Sequence, residues 1–391
     1  MMRIPDQSEP LQGCCCPKPS GTDSGSAGVA EQEGLHHAAY FPLIDGLRFV
    51  AIFMVLFEHF GWYPGELISP GYYGVDLFLV ISGFLITGIL LRRSGETFGK
   101  EYRRFLIRRS LRIFPPYYAL LLVLIICDFP PARQHAGYLA GYVYNYVAED
   151  FRIAGYGNKL YYLWSLSLEE QFYLGWPLIV LLVKNNKRLL LVAAVLIISV
   201  SFSQLLFGLF PSLTKYNYTG LVNRMGSLGL GALGAIFVSW RGVPGKFLSS
   251  FPVEIGILTG SAGLLFVPAG VSLRPLLMSF CFLLLVLKAA YSGFETRWVQ
   301  KFLSSRRVLY VGRISYGIYL FHIPLAVLLS RMFFDALWAS IPFDAMGPLQ
   351  KLRWHSWVIK FPLFSLAAIA VAAASYRWLE APLLRLKKRW E

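Results

Sequence analysis

Apolar residues come in long runs, and polar residues are confined to the short segments between them. Ten runs are close to 18 residues or longer, over 43–62, 72–91, 110–128, 163–183, 189–210, 223–240, 253–270, 272–290, 313–334 and 357–376. A helix needs roughly 20 apolar residues to cross a bilayer. The pattern therefore predicts an all-α integral membrane protein of about ten transmembrane helices. Only a short turn around Val271–Pro275 separates the seventh and eighth runs. Two connections exceed ordinary turn length, 129–162 and 335–356, and long connections in compact proteins tend to be functional. Residues 1–40 are rich in Gly, Ser, Pro and acids and read as a disordered N-terminal tail. A transmembrane domain over 41–385 follows, then a basic tail over 386–391.

Composition agrees with that pattern. Charged residues make up 15% of the chain and mean hydropathy is +0.52, whereas soluble domains carry roughly 25% charge. No soluble fold buries so many long apolar helices in series. The basic residues give the topology. Arg92–Arg112 carries eight Lys and Arg, Lys184–Arg188 three, Lys288–Arg313 six and Arg377–Arg389 five, while 63–71 carries none. With both termini cytoplasmic, about 26 basic residues fall inside and about 10 outside, as the positive-inside rule requires. The net charge of +15 is thus a topology signal. A basic face with interleaved aromatics would mark nucleic-acid binding, and none is present. Cys14, Cys15 and Cys16 are adjacent, and Cys127 and Cys281 lie in apolar runs, so no spacing suggests zinc or a disulfide framework.

Charges inside a span are costly, which makes them functional candidates. The informative ones here are Arg48, Glu58, His59, Asp76, Glu169, Glu170, Arg313 and His322. Arg48 and His59 are eleven residues apart, within about 20° of one helical face and about 16 Å apart along the axis. In the predicted topology Glu58, His59, Asp76, Glu169 and Glu170 fall towards the outside. Tyr173 shares a helical face with either glutamate. Arg48, Arg108, Arg109, Arg112 and Arg313 fall near the cytoplasmic surface. The expectation is a two-ended site, with cations inside and acids with a histidine outside. Arginines suit phosphates, and a histidine held by a carboxylate suits a hydroxyl as general base. An acyl-CoA entering from the cytoplasm fits both ends; a proton-coupled transporter or flippase uses similar parts.

Six motifs narrow this. LIDGLRFVAIFMVLFEHFG (Leu43–Gly61), with its Arg-ten-residues-His pattern, resembles the first span of the acyltransferase family 3 membrane proteins. GYYGVDLFLVISGFLIT (Gly71–Thr87), RRSLRIFPPYY (Arg108–Tyr118) and LWSLSLEEQFYLGWP (Leu163–Pro177) are similar to the motifs that follow. RISYGIYLFHIPL (Arg313–Leu325) and YRWLEAPL (Tyr376–Leu383) match the closing elements. The resemblance implies a ten-helix enzyme of the bacterial inner membrane. Its donor would be cytoplasmic acyl-CoA, often acetyl-CoA, and its acceptor a hydroxyl of a surface polysaccharide, lipopolysaccharide, related oligosaccharide or macrolide. Carried onto this chain, Arg48 and His59 fill the essential pair, Glu169 and Glu170 the paired acids, and Arg109 and Arg112 the basic motif. The catalytic candidates are then His59, Glu169, Glu170 and Arg48, and the donor-binding candidates Arg108, Arg109, Arg112 and Ser82. No metal and no bound cofactor is expected.

The remaining polar positions read structurally or stay open. Ser82-Gly83 suits close helix approach or a substrate contact. Pro115-Pro116 predicts a break or kink. Trp62, Trp164, Trp176 and Trp240 fit interfacial anchors. Asp76 invites an Arg or His partner, His322 divides between a structural hydrogen bond and a site role, and Glu58 could tune His59.

Overall fold

Buried apolar stripes on successive helices dictate an all-helical packing. A computed structural model of the chain describes residues 40–61, 70–92, 95–153, 158–183, 185–209, 221–266, 274–334 and 356–386. The tail over 1–39, Trp62, most of 335–356 and the tail beyond 386 lie outside the described residues. The principal helices are α1 (Pro42–Phe60), α2 (Pro70–Leu91), α3 (Phe98–Ile126), α4 (Trp164–Leu182), α5 (Asn186–Leu209), α6 (Leu221–Arg241), α7 (Phe251–Leu265), α8 (Arg274–Tyr291), α9 (Ser315–Leu329) and α10 (Phe361–Ser375). A helix therefore overlaps each of the ten predicted runs, and no strand occurs among the described residues. Four described helical stretches are long and apolar enough to cross a membrane, or five if Arg306–Arg313 and the following helix, bent by 69°, make one span. Helix α1 is not among them, because Asp45, Arg48 and Glu58 place three charges in its 19 residues.

Glycine sets the closest helix contacts. A Cβ on Gly83 of α2 would collide with the Leu228 carbonyl of α6, and one on Gly231 of α6 with the Val80 carbonyl of α2. Gly312 meets the Asp45 carbonyl of α1 in the same way. Hydrocarbon offers helices no hydrophobic reason to associate, so backbone-to-backbone packing at small residues carries the attraction. Gly83 thus serves packing, while its neighbour Ser82 faces the site described below.

Buried polar pairs fasten the helices. Glu254 of α7 and Lys288 of α8 form a fully buried ion pair at 3.1 Å, and Glu254 also accepts the backbone N–H of Glu295 and Thr296. Arg274 donates to the Leu264 and Leu265 carbonyls at the end of α7, closing the α7–α8 hairpin. These carbonyls are the ones a helix end leaves without partners.

Three expectations need correction. Pro115 and Pro116 do not break α3, which runs from Phe98 through both to Ile126. Two ladder bonds are forfeited, but the φ of proline is already helical. The helix also starts well before position 110, because Phe105 of the basic approach is buried. Trp164 and Trp176 are not interfacial: both are buried, and the Trp176 indole donates to Thr87 at 2.8 Å.

The long connection after α3 is folded rather than loose. Short helices occupy Pro130–Gln134, Ala136–Ala140 and Ala148–Ile153, with 3₁₀ turns at Tyr144–Tyr146 and Asn158–Leu163. Its tyrosines explain the order. Tyr117 and Tyr118 of α3 donate to the Leu139 and Ala140 carbonyls, and Tyr142 stacks on Tyr117 at 4.4 Å between ring centroids. Gln171 of α4 donates to the Tyr142 carbonyl and to Asn145 Oδ1, both at 2.8 Å.

Candidate active site

The last turn of α1 carries His59, whose Nδ1 lies 2.9 Å from the Val55 carbonyl and 3.3 Å from Nε2 of His322. His322, from α9, is buried, and its Nδ1 lies 2.6 Å from the Tyr319 carbonyl. A carbonyl only accepts, so His322 Nδ1 carries the proton and its Nε2 the lone pair. That lone pair accepts the Nδ1–H of His59, which also faces Val55 oxygen. His59 Nε2 is then left with a lone pair, the form of imidazole that takes a proton from a hydroxyl. His322 is held in turn: Tyr162 stands edge-on to it at 4.9 Å between centroids, Tyr162 donates to the Leu320 carbonyl, and Tyr319 donates to the Tyr162 carbonyl.

His59 is exposed, but to a cavity of about 410 Å³. Phe60, Ile323 and Phe364 give this cavity an apolar wall, and Lys159, Arg331 and Lys360 supply cations.

At the other end of α1, Arg48 forms a 2.8 Å ion pair with buried Asp45. Arg313 lies 4.0 Å from the second Asp45 oxygen. From α3, Arg112 is in electrostatic range of Arg48, Arg109, Asp45 and Tyr173. Arg109 lies over the Tyr173 ring at 5.1 Å, and Arg108 is half-buried on the same helix. The Tyr173 hydroxyl lies 2.6 Å from Glu169 Oε2 and 3.2 Å from Ser82 Oγ. Glu169 in turn feels Arg109, Arg48 and Arg112. One network thus joins Arg48, Arg109, Arg112, Tyr173, Glu169 and Ser82 across four helices. Glu380 of the closing motif is buried and in range of Arg112.

The expected pairing of His59 with the acids of α4 is not seen. No hydrogen bond or ion pair among the described residues joins His59 to Glu169 or Glu170. Glu169 belongs to the arginine end, where three cations offset the cost of burying its charge. Glu170 turns the other way, since consecutive helical residues sit about 100° apart. It is buried, within electrostatic range of Tyr117, Tyr142 and Tyr316, and its Oε1 has no hydrogen-bond partner among the described residues. The group that orients His59 is another histidine rather than a carboxylate.

Other candidates resolve structurally. Asp76 pairs with Arg224 of α6 at 2.9 Å, both buried, and accepts from Ser227 at 3.1 Å. The Arg224 guanidinium lies 3.9 Å from the Tyr72 ring centroid. Glu58 accepts the backbone N–H of Gly71 at 3.2 Å, in the first turn of α2, where a negative charge complements the helix dipole. It anchors α2 to α1 rather than touching His59.

Asp45, Arg224, Glu380, Lys159, Arg331 and Lys360 were not singled out from the sequence. Two had usable signals. Asp45 stands at i,i+3 from Arg48, and Arg224 falls inside the predicted sixth run, where a charge is itself the flag. The three cavity cations come from segments far apart in sequence and share no motif.

The described residues form an all-helical bundle with Asp45 of α1 and Glu170 of α4 buried and the arginines of α1 and α3 partly buried, which gives it a polar interior. The chain belongs to acyltransferase family 3: a family model described as an acyltransferase domain matches residues 41–377. The peptidoglycan O-acetyltransferase OatA of Listeria monocytogenes is 32% identical over 74% of this chain and 50% of its own length. The putative peptidoglycan O-acetyltransferase YrhL of Bacillus subtilis is 29% identical over 89% of this chain and 55% of its own. An O-acetyltransferase of Staphylococcus aureus is 28% identical over 90% and 58%. The chain thus spans about half the length of the curated relatives it matches. No solved structure matches.

Proposed function

We propose that this chain is a membrane O-acetyltransferase, which takes an acetyl group from acyl-CoA at the cytoplasmic face and places it on a hydroxyl of an extracytoplasmic carbohydrate. The observation that carries the reading is the His59–His322 pair beside a cavity, at the opposite end of α1 from a partly buried arginine network. His59 Nε2 accepts the proton of the acceptor hydroxyl, whose oxygen attacks the acyl carbonyl. The CoA sulfur leaves and takes up a proton. Arg48, Arg109 and Arg112 hold the donor's phosphates through charge-assisted hydrogen bonds, and Tyr173 with Glu169 fixes the arginines in place. Arg48 and His59 stand about 16 Å apart along the helix, a gap the donor's extended pantetheine arm bridges. Family membership and the names of the relatives support acetyl transfer to a glycan.

Incubating membranes containing the protein with acetyl-labelled acetyl-CoA tests this. Base-labile label should appear in the carbohydrate fraction as free CoA accumulates. Movement of glycan across the membrane with acetyl-CoA intact would instead identify a transporter.

A further inference from the structure

The connection between α8 and α9 carries two short helices, Arg297–Leu303 and Arg306–Arg313. From Thr296 to Arg313 it holds five Lys and Arg and no Asp or Glu. Its outer side combines charge with bulk. Arg297, Lys301, Arg306 and Arg307 are exposed, and so are Trp298 at 71%, Phe302 at 46% and Tyr310 at 44%. Trp298 and Phe302 stand at i,i+4, as do Arg306 and Tyr310, so each pair shares a helical face. None of the four cations enters an ion pair among the described residues. The positive-inside rule accounts for the cations, but not for three large aromatic rings left uncovered among them.

Packing fixes the depth of this segment. Its other side is buried through Val299, Leu303, Val308 and Gly312. A Cβ on Gly46 would collide with the Leu303 carbonyl, and one on Gly312 with the Asp45 carbonyl, so the segment lies level with the first turn of α1. Phe302 stands edge-on to Phe49 at 5.7 Å between ring centroids, and Phe49 stacks on Phe53 at 6.1 Å. Phe53 is exposed in the middle of α1, where an apolar ring faces hydrocarbon. The uncovered rings thus continue the lipid-facing side of α1 to the end of the span. Cations interleaved with aromatic rings at that depth suit an element lying in the plane of the membrane interface.

We infer that Arg297–Arg313 binds anionic phospholipid headgroups through Arg297, Lys301, Arg306 and Arg307, with Trp298, Phe302 and Tyr310 set between the lipids. Zwitterionic lipid satisfies the rings alone. An anionic headgroup also offsets the four like charges and accepts charge-assisted hydrogen bonds. The inference rests on the reading in which α1 crosses the bilayer with its Arg48 end at a membrane face. It does not depend on acetyl transfer.

Photocrosslinking provides the test. The full chain is placed in phosphatidylcholine nanodiscs. Parallel samples hold the same small fraction of phosphatidylglycerol or phosphatidylcholine bearing a photoreactive group near the headgroup, and adducts are located by mass spectrometry. Adducts within 297–313 should be at least about fivefold more abundant from phosphatidylglycerol, the gain that one basic side chain provides near an anionic surface. Arg297→Gln/Lys301→Gln/Arg306→Gln/Arg307→Gln protein should bring the ratio close to one while phosphatidylcholine adducts persist. Trp298→Ser/Tyr310→Ser should lower adducts from both lipids and keep the ratio. Equal labelling by the two lipids, no adducts in the segment from either, or a ratio that survives the quadruple change overturns the inference. So does loss of the phosphatidylglycerol adducts on adding equimolar coenzyme A, which would assign the cations to the donor. No acetyl transfer is read, so the transferase reading succeeds or fails separately.

Discussion

His59→Ala protein should retain its fold and lose acetyl transfer by about 10²–10⁴-fold, the usual contribution of a positioned general base. His59 ends α1 facing a cavity, so truncation removes no core packing. His322→Asn should behave differently. An asparagine amide can donate to the Tyr319 carbonyl, but it cannot reproduce the imidazole lone pair that receives His59 Nδ1–H. His59 is then held through the Val55 carbonyl alone, which keeps the proton on Nδ1 but leaves the ring freer to turn. Turnover should fall by about 10–100-fold, the range seen when an outer partner of a functional histidine is lost, with KM for the acceptor little changed. The pH–rate profile separates the roles. The His322→Asn profile should keep its shape with a shifted midpoint, whereas the His59→Ala residue of activity should lose the limb belonging to the base. Full activity in His59→Ala would remove the base from the mechanism.

The second large effect is on stability. Arg224→Met leaves the Asp76 carboxylate buried without its cation, and breaking a buried pair from one side typically costs about 3–5 kcal/mol. The loss should exceed that of an ordinary surface change, because Arg224 also lies over Tyr72 and Ser227 is tied to the same carboxylate. Thermal unfolding in detergent should show a large drop for Arg224→Met and recovery of most of it in Asp76→Leu/Arg224→Met. Double replacement removes both charges together, which is often neutral or stabilising. The recovered double variant should still transfer acetyl groups. If it folds well but is inactive, Asp76 belongs to the chemistry.

The helices were legible because hydrocarbon leaves a chain few options. Backbone polar groups must be satisfied within each segment, so a long apolar run such as 72–91 predicts α2 (Pro70–Leu91) almost to its ends. The helix containing His59 was equally legible, because the pattern tolerates the three charges that exclude it by composition. Residue type and spacing also predicted that Arg48, Arg109 and Arg112 share one end, and in the structure Arg112 lies in electrostatic range of the other two. Depth proved a poor guide to partners. Glu169 was placed beside His59 by its predicted height, yet a single bond from Tyr173, one turn away on α4, directs it to the arginines. The rotation of one helix about its axis relative to the next decides such contacts, and no single-helix pattern encodes it. The break offered as one outcome at Pro115-Pro116 is absent because proline's φ already suits α3, which continues through both. His322 could not be assigned from sequence because its role depends on α9 meeting α1, a juxtaposition some 263 positions apart.

Oriented proteoliposomes test the two-ended arrangement most directly. Acetyl-labelled acetyl-CoA is supplied only at the face bearing Arg48, Arg109 and Arg112, and an oligosaccharide acceptor only at the face bearing His59. Free CoA should appear on the donor side and base-labile acetyl on the oligosaccharide across the bilayer, with both signals lost in His59→Ala. Equal transfer when acetyl-CoA is supplied at the His59 face, or passage of the oligosaccharide with acetyl-CoA unconsumed, would contradict it.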